Sequence, residues 1–187
     1  ISALAFSMAL YGAYTYPYLE NGDSWEHAVG AKYVSIFHEY TQSDDLLFAH
    51  YLPPIYPPGY DVLMGLIHQL NSSVSWTLKV FNAFLVAFTY IFAYFFIKRF
   101  TKDEGVARAA IFVLLMLPPF ASHTIWAHTL SMTIFFVVFY SVELVSENKS
   151  WIILSMIFLA SSLLIQPLMS FVMGMFYIMY VVGKYFS

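Results

Sequence analysis

Residues 74–97 form a run of 24 residues whose only ionisable side chain, tyrosines aside, is Lys79. A helix over this run reaches about 36 Å, enough to cross the roughly 30 Å hydrocarbon core of a bilayer with some tilt. The rest of the chain is of the same kind. Of 187 residues 60% are hydrophobic and 10% charged, against about 45–50% and about 25% in soluble globular domains. A soluble core of this size could not hide so much apolar surface, so lipid is the expected solvent. Aromatic residues make up 20%, which suits interfaces where Tyr and Trp anchor helices. The absence of cysteine excludes a disulfide framework. The net charge of -3 contains no basic run of the kind that binds nucleic acid.

Further apolar runs lie at 1–18, 106–117, 124–145, 151–165 and 168–182. We therefore expect an all-α fold, a polytopic transmembrane helical bundle with about six spans. It is expected to form a single module over 1–187, interrupted by one long polar loop at 19–73. Ile1 replaces an initiator Met and the last apolar run stops near Ser187, so both ends read as cut and the chain as a fragment. Residues 1–18 lack the basic start of a signal peptide, and a truncated membrane helix fits better.

Loop charges set the expected orientation. Lys98, Arg99, Lys102, Arg108, Lys149 and Lys184, six of the eight basic residues, flank the spans on alternate connections. The positive-inside rule puts them in the cytoplasm of a multi-pass cell-membrane protein. The acidic loop and all six histidines are then extracytoplasmic, which requires residues 60–70 to lie in the interface. That segment reaches only about 17 Å, too short to span. Its Leu63, Leu66, Ile67 and Leu70 recur at helical spacing, as in an interfacial helix. A second amphipathic helix is expected from Trp25, Ala28, Val29, Tyr33, Ile36, Phe37 and Tyr40. The first loop thus carries two interfacial helices.

Three polar groups fall on this side. The first is Asn21-Gly22-Asp23-Ser24-Trp25-Glu26-His27. Asp23 with Glu26 three residues later fits a helix cap. It equally fits a carboxylate in a partly dehydrated cleft, where its charge counts for more than in bulk water. His27 lies one helical turn on, on the face of Asp23. The second group runs from His50 through four prolines to Tyr56, Gly59, Tyr60 and Asp61. Those prolines cannot be helix or central strand. They make a stiff extended segment, with Tyr56, Tyr60 and Asp61 as candidate lining of a site. The third group is Ser122-His123-Thr124-Ile125-Trp126-Ala127-His128, with His128 a turn inside a span and Gln166-Pro167 at similar depth. Ionisable groups at such depth generally face a cavity or the bundle interior. The short third span leaves room for a cavity there.

Asp23-Ser24-Trp25-Glu26-His27 after a membrane helix, then Tyr56-Pro57-Pro58-Gly59-Tyr60 leading into a second loop helix, resembles the GT-C superfamily of integral membrane glycosyltransferases. The resemblance covers essentially the whole chain. It implies transfer of a sugar from a polyprenyl-phosphate or polyprenyl-diphosphate donor to a glycan, lipid or protein acceptor on the extracytoplasmic face, with membrane lipid around the site. The family's catalytic carboxylate lies early in the first outer loop and maps to Asp23, as general base or acceptor-orienting group. Glu26 and His27 become its neighbours in catalysis. His50, Tyr56, Tyr60, Asp61, His123, His128 and Gln166 become the substrate-binding candidates. The pattern departs from the O-mannosyltransferase relatives in lacking an Asp-Glu pair at the loop start. Only Lys32 and Lys79 face outward to bind phosphate.

Two other readings are carried. A transporter or channel subunit would need charged or broken helices near the midplane and inverted repeats. A non-catalytic membrane scaffold could keep the same fold without the chemistry. The only cofactor the residues admit is a divalent metal, on Asp23 with His27 or on His123 with His128, without a visible set of three or four ligands.

Overall fold

The computed structural model describes residues 1–40, 57–117, 120 and 123–186. Among them are eight α-helices and no strand: α1 Ser2–Thr15, α2 Gly22–Phe37, α3 Gly59–His68, α4 Val74–Thr101, α5 Glu104–Met116, α6 Ala127–Leu144, α7 Trp151–Ser162 and α8 Pro167–Phe186. The prolines at 53 and 54 and the candidate residues His50 and Tyr56 lie outside the described residues.

Helix starts follow side-chain chemistry. Asn21, Ser73 and Asp103 each accept a backbone N–H from the first turn of α2, α4 and α5, satisfying donors that a helix start otherwise leaves open. His38 and Lys102 close α2 and α4 in the left-handed conformation, both at φ 57°. Three helices, α4, α6 and α8, are long and apolar enough to cross a membrane. At 1.5 Å per residue α1, α5 and α7 reach only about 18–21 Å, short of the hydrocarbon core on their own.

Helix α4 is the hub, packed against α1, α5 and α6, while α6 also packs against α7 and α8. Ala5, Ala9 and Ala13 form a buried small-residue stripe on α1, the means by which helices approach closely where lipid supplies no hydrophobic drive. Polar side chains join the helices across the interior. Thr89 and Thr133 share a 2.8 Å hydrogen bond, and Thr133 Oγ1 also donates to the Leu85 carbonyl at 3.1 Å. Ser155 Oγ donates to the Val138 carbonyl at 3.0 Å, tying α7 to α6.

The loop helices α2 and α3 pack on each other, but not through the large apolar residues of the sequence pattern. Of the expected stripe on α2 only Ala28 is buried, while Trp25, Val29, Ile36 and Phe37 are exposed. The packed face holds Ser24, His27, Gly30, Ala31 and Val34. On α3 the buried residues are Tyr60, Met64, Gly65 and His68, with Leu66 and Leu70 exposed. The physical reason is close approach. A Cβ on Gly65 would sit 2.7 Å from the Val34 side chain and 2.8 Å from the Ala31 carbonyl. On α2 small residues face inward and the large apolar ones are left for the surroundings, whereas α3 also buries Tyr60 and Met64.

Gly59 shows why the Pro-Pro-Gly-Tyr turn ends in glycine. Its N–H donates to the Leu164 carbonyl at 2.7 Å, docking the start of α3 on the α7–α8 connection. A Cβ there would lie 2.5 Å from that carbonyl oxygen, closer than a packed interior accepts without backbone movement. Gly59→Ala is therefore expected to cost about 1–3 kcal/mol. Equilibrium unfolding in mixed micelles measures it, and an unchanged midpoint would show that the contact is not needed.

Candidate functional site

Helix α2 opens one end of the bundle. Asn21 Oδ1 accepts the Ser24 N–H at 2.9 Å and the Ser24 hydroxyl at 2.6 Å. The cap is therefore Asn21, and the expected cap by Asp23 with Glu26 is corrected. The helix begins two residues earlier than that reading supposed, because the asparagine accepts the Ser24 N–H and so caps the first turn itself. Asp23 falls in the first turn, half-buried, and its carboxylate accepts no hydrogen bond from a described residue. Glu26 is exposed on the outward face and is not gathered with the other candidates.

His27 is buried at 1% exposure. Its Nδ1 meets Asp61 Oδ1 of α3 at 2.7 Å, and its ring lies 4.6 Å from that of Tyr60. Gly30 makes room for this pair, since a Cβ there would overlap the Asp61 carboxylate. Burial pushes the Asp61 carboxyl above its ordinary range, with the hydrogen bond and charge of His27 pulling the other way. Tyr60 is fully buried, and its phenol is held far above its usual value by burial first and the Asp61 charge second. No described residue hydrogen-bonds the Tyr60 hydroxyl.

The segment entering α6 closes over α2. The Ser24 hydroxyl reaches the Ile125 carbonyl at 3.2 Å. Asn82 of α4 donates to the carbonyls of His123 and Thr124 at 3.2 and 3.3 Å. The His123 side chain packs over Gly12 of α1, and its Nε2 lies 2.9 Å from Glu20 Oε1. His128 Nε2 lies 3.0 Å from Gln166 Nε2, across α6 and the start of α8. Because the amide nitrogen can only donate, this contact makes Nε2 the acceptor. Asp23 and His27 both stand close enough to act electrostatically on His128.

The structure thus brings Asp23, His27, Tyr60, Asp61, His123, His128 and Gln166 to one end of the bundle. It does not pair them as expected. His27 takes Asp61, His123 takes Glu20 and His128 takes Gln166, so neither candidate metal pair forms a unit. Among the described residues no group of three or more His, Asp or Glu is placed to hold a metal ion. Lys79 is buried, with Nζ donating to the Tyr16 carbonyl at 2.6 Å and lying 5.0 Å over the Tyr14 ring. It holds the end of α1, which leaves Lys32 as the exposed cation on α2. The sequence reading gives Asn21 and Ser24 no role of their own within the first polar group and does not single out Glu20. An asparagine two residues before a helical aspartate was the available signal for the first.

His68, at the end of α3, is 8% exposed. Burial, and next the charge of Lys32, hold its imidazole below the ordinary value. The unfolded chain then binds more protons than the fold as pH falls through the ordinary histidine range. Stability from this group is full above about pH 6.5 and is lost on acidification. Thermal unfolding of the wild type should weaken between pH 7.5 and 5.5 more than that of His68→Gln; parallel curves would remove His68 as the cause. Comparison with models of protein families, with curated proteins and with solved structures finds no match to this chain.

Proposed function

We propose that this chain is a membrane glycosyltransferase of GT-C type, moving a sugar from a polyprenyl-phosphate or polyprenyl-diphosphate donor to an acceptor at the histidine end of the bundle. One observation carries the reading. Asp23 is relieved of capping by Asn21, accepts no hydrogen bond from a described residue, and lies within electrostatic reach of His128 on another helix. A carboxylate without a structural partner among the described residues is suited to take a proton.

In this mechanism an acceptor hydroxyl oxygen attacks the anomeric carbon of the donor sugar. The bond from that carbon to the phosphate oxygen breaks, and the polyprenyl phosphate or diphosphate leaves with the electron pair. The hydroxyl proton passes to the Asp23 carboxylate. His128 and Gln166 present ring and amide groups to sugar hydroxyls. Lys32 is the exposed cation that would meet the donor phosphate. The His27–Asp61 pair positions α2 against α3 beneath Asp23.

The same reading completes the topology. Helices α1, α5 and α7 join α4, α6 and α8 as about six spans, and the histidine end is extracytoplasmic. The exposed Trp25, Val29, Ile36 and Phe37 of α2 rest in the interface, where aromatic and aliphatic side chains are favoured. The test is incubation of the full-length protein with radiolabelled polyprenyl-phosphate sugars and candidate acceptors. Labelled product supports the proposal. Solute uptake by reconstituted protein without transfer favours the transporter reading, and neither activity leaves the scaffold.

A further inference from the structure

A groove of about 800 Å³ opens at the end of the bundle opposite the histidines, lined by Phe95, Lys98, Arg99, Lys102, Glu104, Tyr140, Glu143, Ser146 and Lys184. Its size is that of a small-ligand site. Four cations line it with two carboxylates, a third carboxylate, Glu147, lies against Arg99, and all three are already engaged, which leaves Lys102 as the cation in excess. Glu143 Oε1 takes the Lys184 ammonium at 2.6 Å and the Tyr180 hydroxyl. Glu104 takes Arg108, and Lys98 at 3.3 Å.

Cationic donors are left over. Arg99 donates through Nε to the Glu143 carbonyl at 3.1 Å, through Nη1 to Glu147 at 2.7 Å and through Nη2 to Ser146 Oγ at 3.3 Å. These bonds fix the guanidinium and leave two of its five N–H donors. Lys102 bonds no described residue through its ammonium. It stands at φ 57°, closing α4, a position where glycine is favoured because a β-carbon is strained there. Next to the charges, Phe95 stacks on Tyr140 at 5.8 Å, giving an apolar wall.

We infer that this groove binds the phosphodiester headgroup of an anionic glycerophospholipid from the leaflet at the basic end. The phosphate meets Arg99, Lys98 and Lys102, and an acyl chain runs along Phe95 and Tyr140. Excess cation beside an aromatic wall at the end of spanning helices matches an amphiphile with an anionic head. A free phosphate would use the cations but not the wall. The site is independent of the Asp23 chemistry.

The protein, reconstituted in nanodiscs of phosphatidylcholine with a minor share of phosphatidylglycerol, is extracted and its retained lipid counted by native mass spectrometry. Preferential retention of one phosphatidylglycerol is expected. Lys98→Gln with Lys102→Gly should reduce it about tenfold. The glycine should also leave helix α4 at least as stable, so a loss of lipid cannot be read as misfolding. Lys149→Gln, a cation of the same end outside the groove, should change nothing. Equal retention of the two lipids, or an equal loss in Lys149→Gln, overturns the site in favour of diffuse charge. Displacement of the lipid by inorganic phosphate overturns it in favour of a soluble anion.

Discussion

Asp23→Asn should lower the proposed sugar transfer by about 10²–10⁴-fold while leaving the unfolding midpoint of the protein almost unmoved. The first number is the usual worth of a positioned general base. The second follows from the structure, in which the Asp23 carboxylate accepts no hydrogen bond from a described residue and Asn21 does the capping. Asparagine has nearly the shape of aspartate but no capacity to hold the proton. Turnover measured alongside unfolding in mixed micelles separates the two effects. Undiminished transfer would remove Asp23 from the mechanism. A parallel fall in stability would mean that it is a structural residue after all.

The opposite profile is expected one turn further along α2. His27→Ala and Asp61→Ala should each destabilise the protein by about 3 kcal/mol, because each leaves the other partner buried without its 2.7 Å contact. Asp61 keeps 20% side-chain exposure, so the loss on the histidine side, where the carboxylate can still reach water, should be the smaller. The double variant should cost clearly less than the two single losses together, since residues in direct contact are not additive. A double-mutant cycle by equilibrium unfolding gives the coupling. Additive losses would mean that the pair contributes nothing as a pair.

These two residues also mark how far the sequence could be read. The α4 run needs only length and hydropathy, and the structure forms Val74–Thr101 as a helix long enough to cross. The placement of α2 and α3 was legible too, from spacing and turn chemistry. The face through which they pack was not. The pattern marks large apolar residues for the membrane surface and says nothing of the opposite face, where small residues and His27 meet α3. Where lipid surrounds a bundle, large apolar side chains gain nothing by turning inward, and close packing of small ones decides. The histidine partners were equally hidden. Glu20 lies 103 residues from His123, and Gln166 lies 38 from His128. No local spacing encodes such pairs. The exchange of Asp23 for Asn21 at the cap is a two-residue shift, the usual uncertainty of a helix start.

The hydrogen bond from Gly59 to Leu164 has a consequence for biosynthesis. Its two ends leave the ribosome about 100 residues apart, roughly 5–20 s at ordinary elongation rates. For that interval α3 has been made but its docking ground has not. Ser24 waits in the same way for Ile125. The loop helices must therefore persist as a pair, held by the His27–Asp61 contact and the Gly30 and Gly65 approaches, until later helices arrive. Truncations ending before Leu164 should insert their early helices yet leave α3 open to protease, and extension past it should close that access.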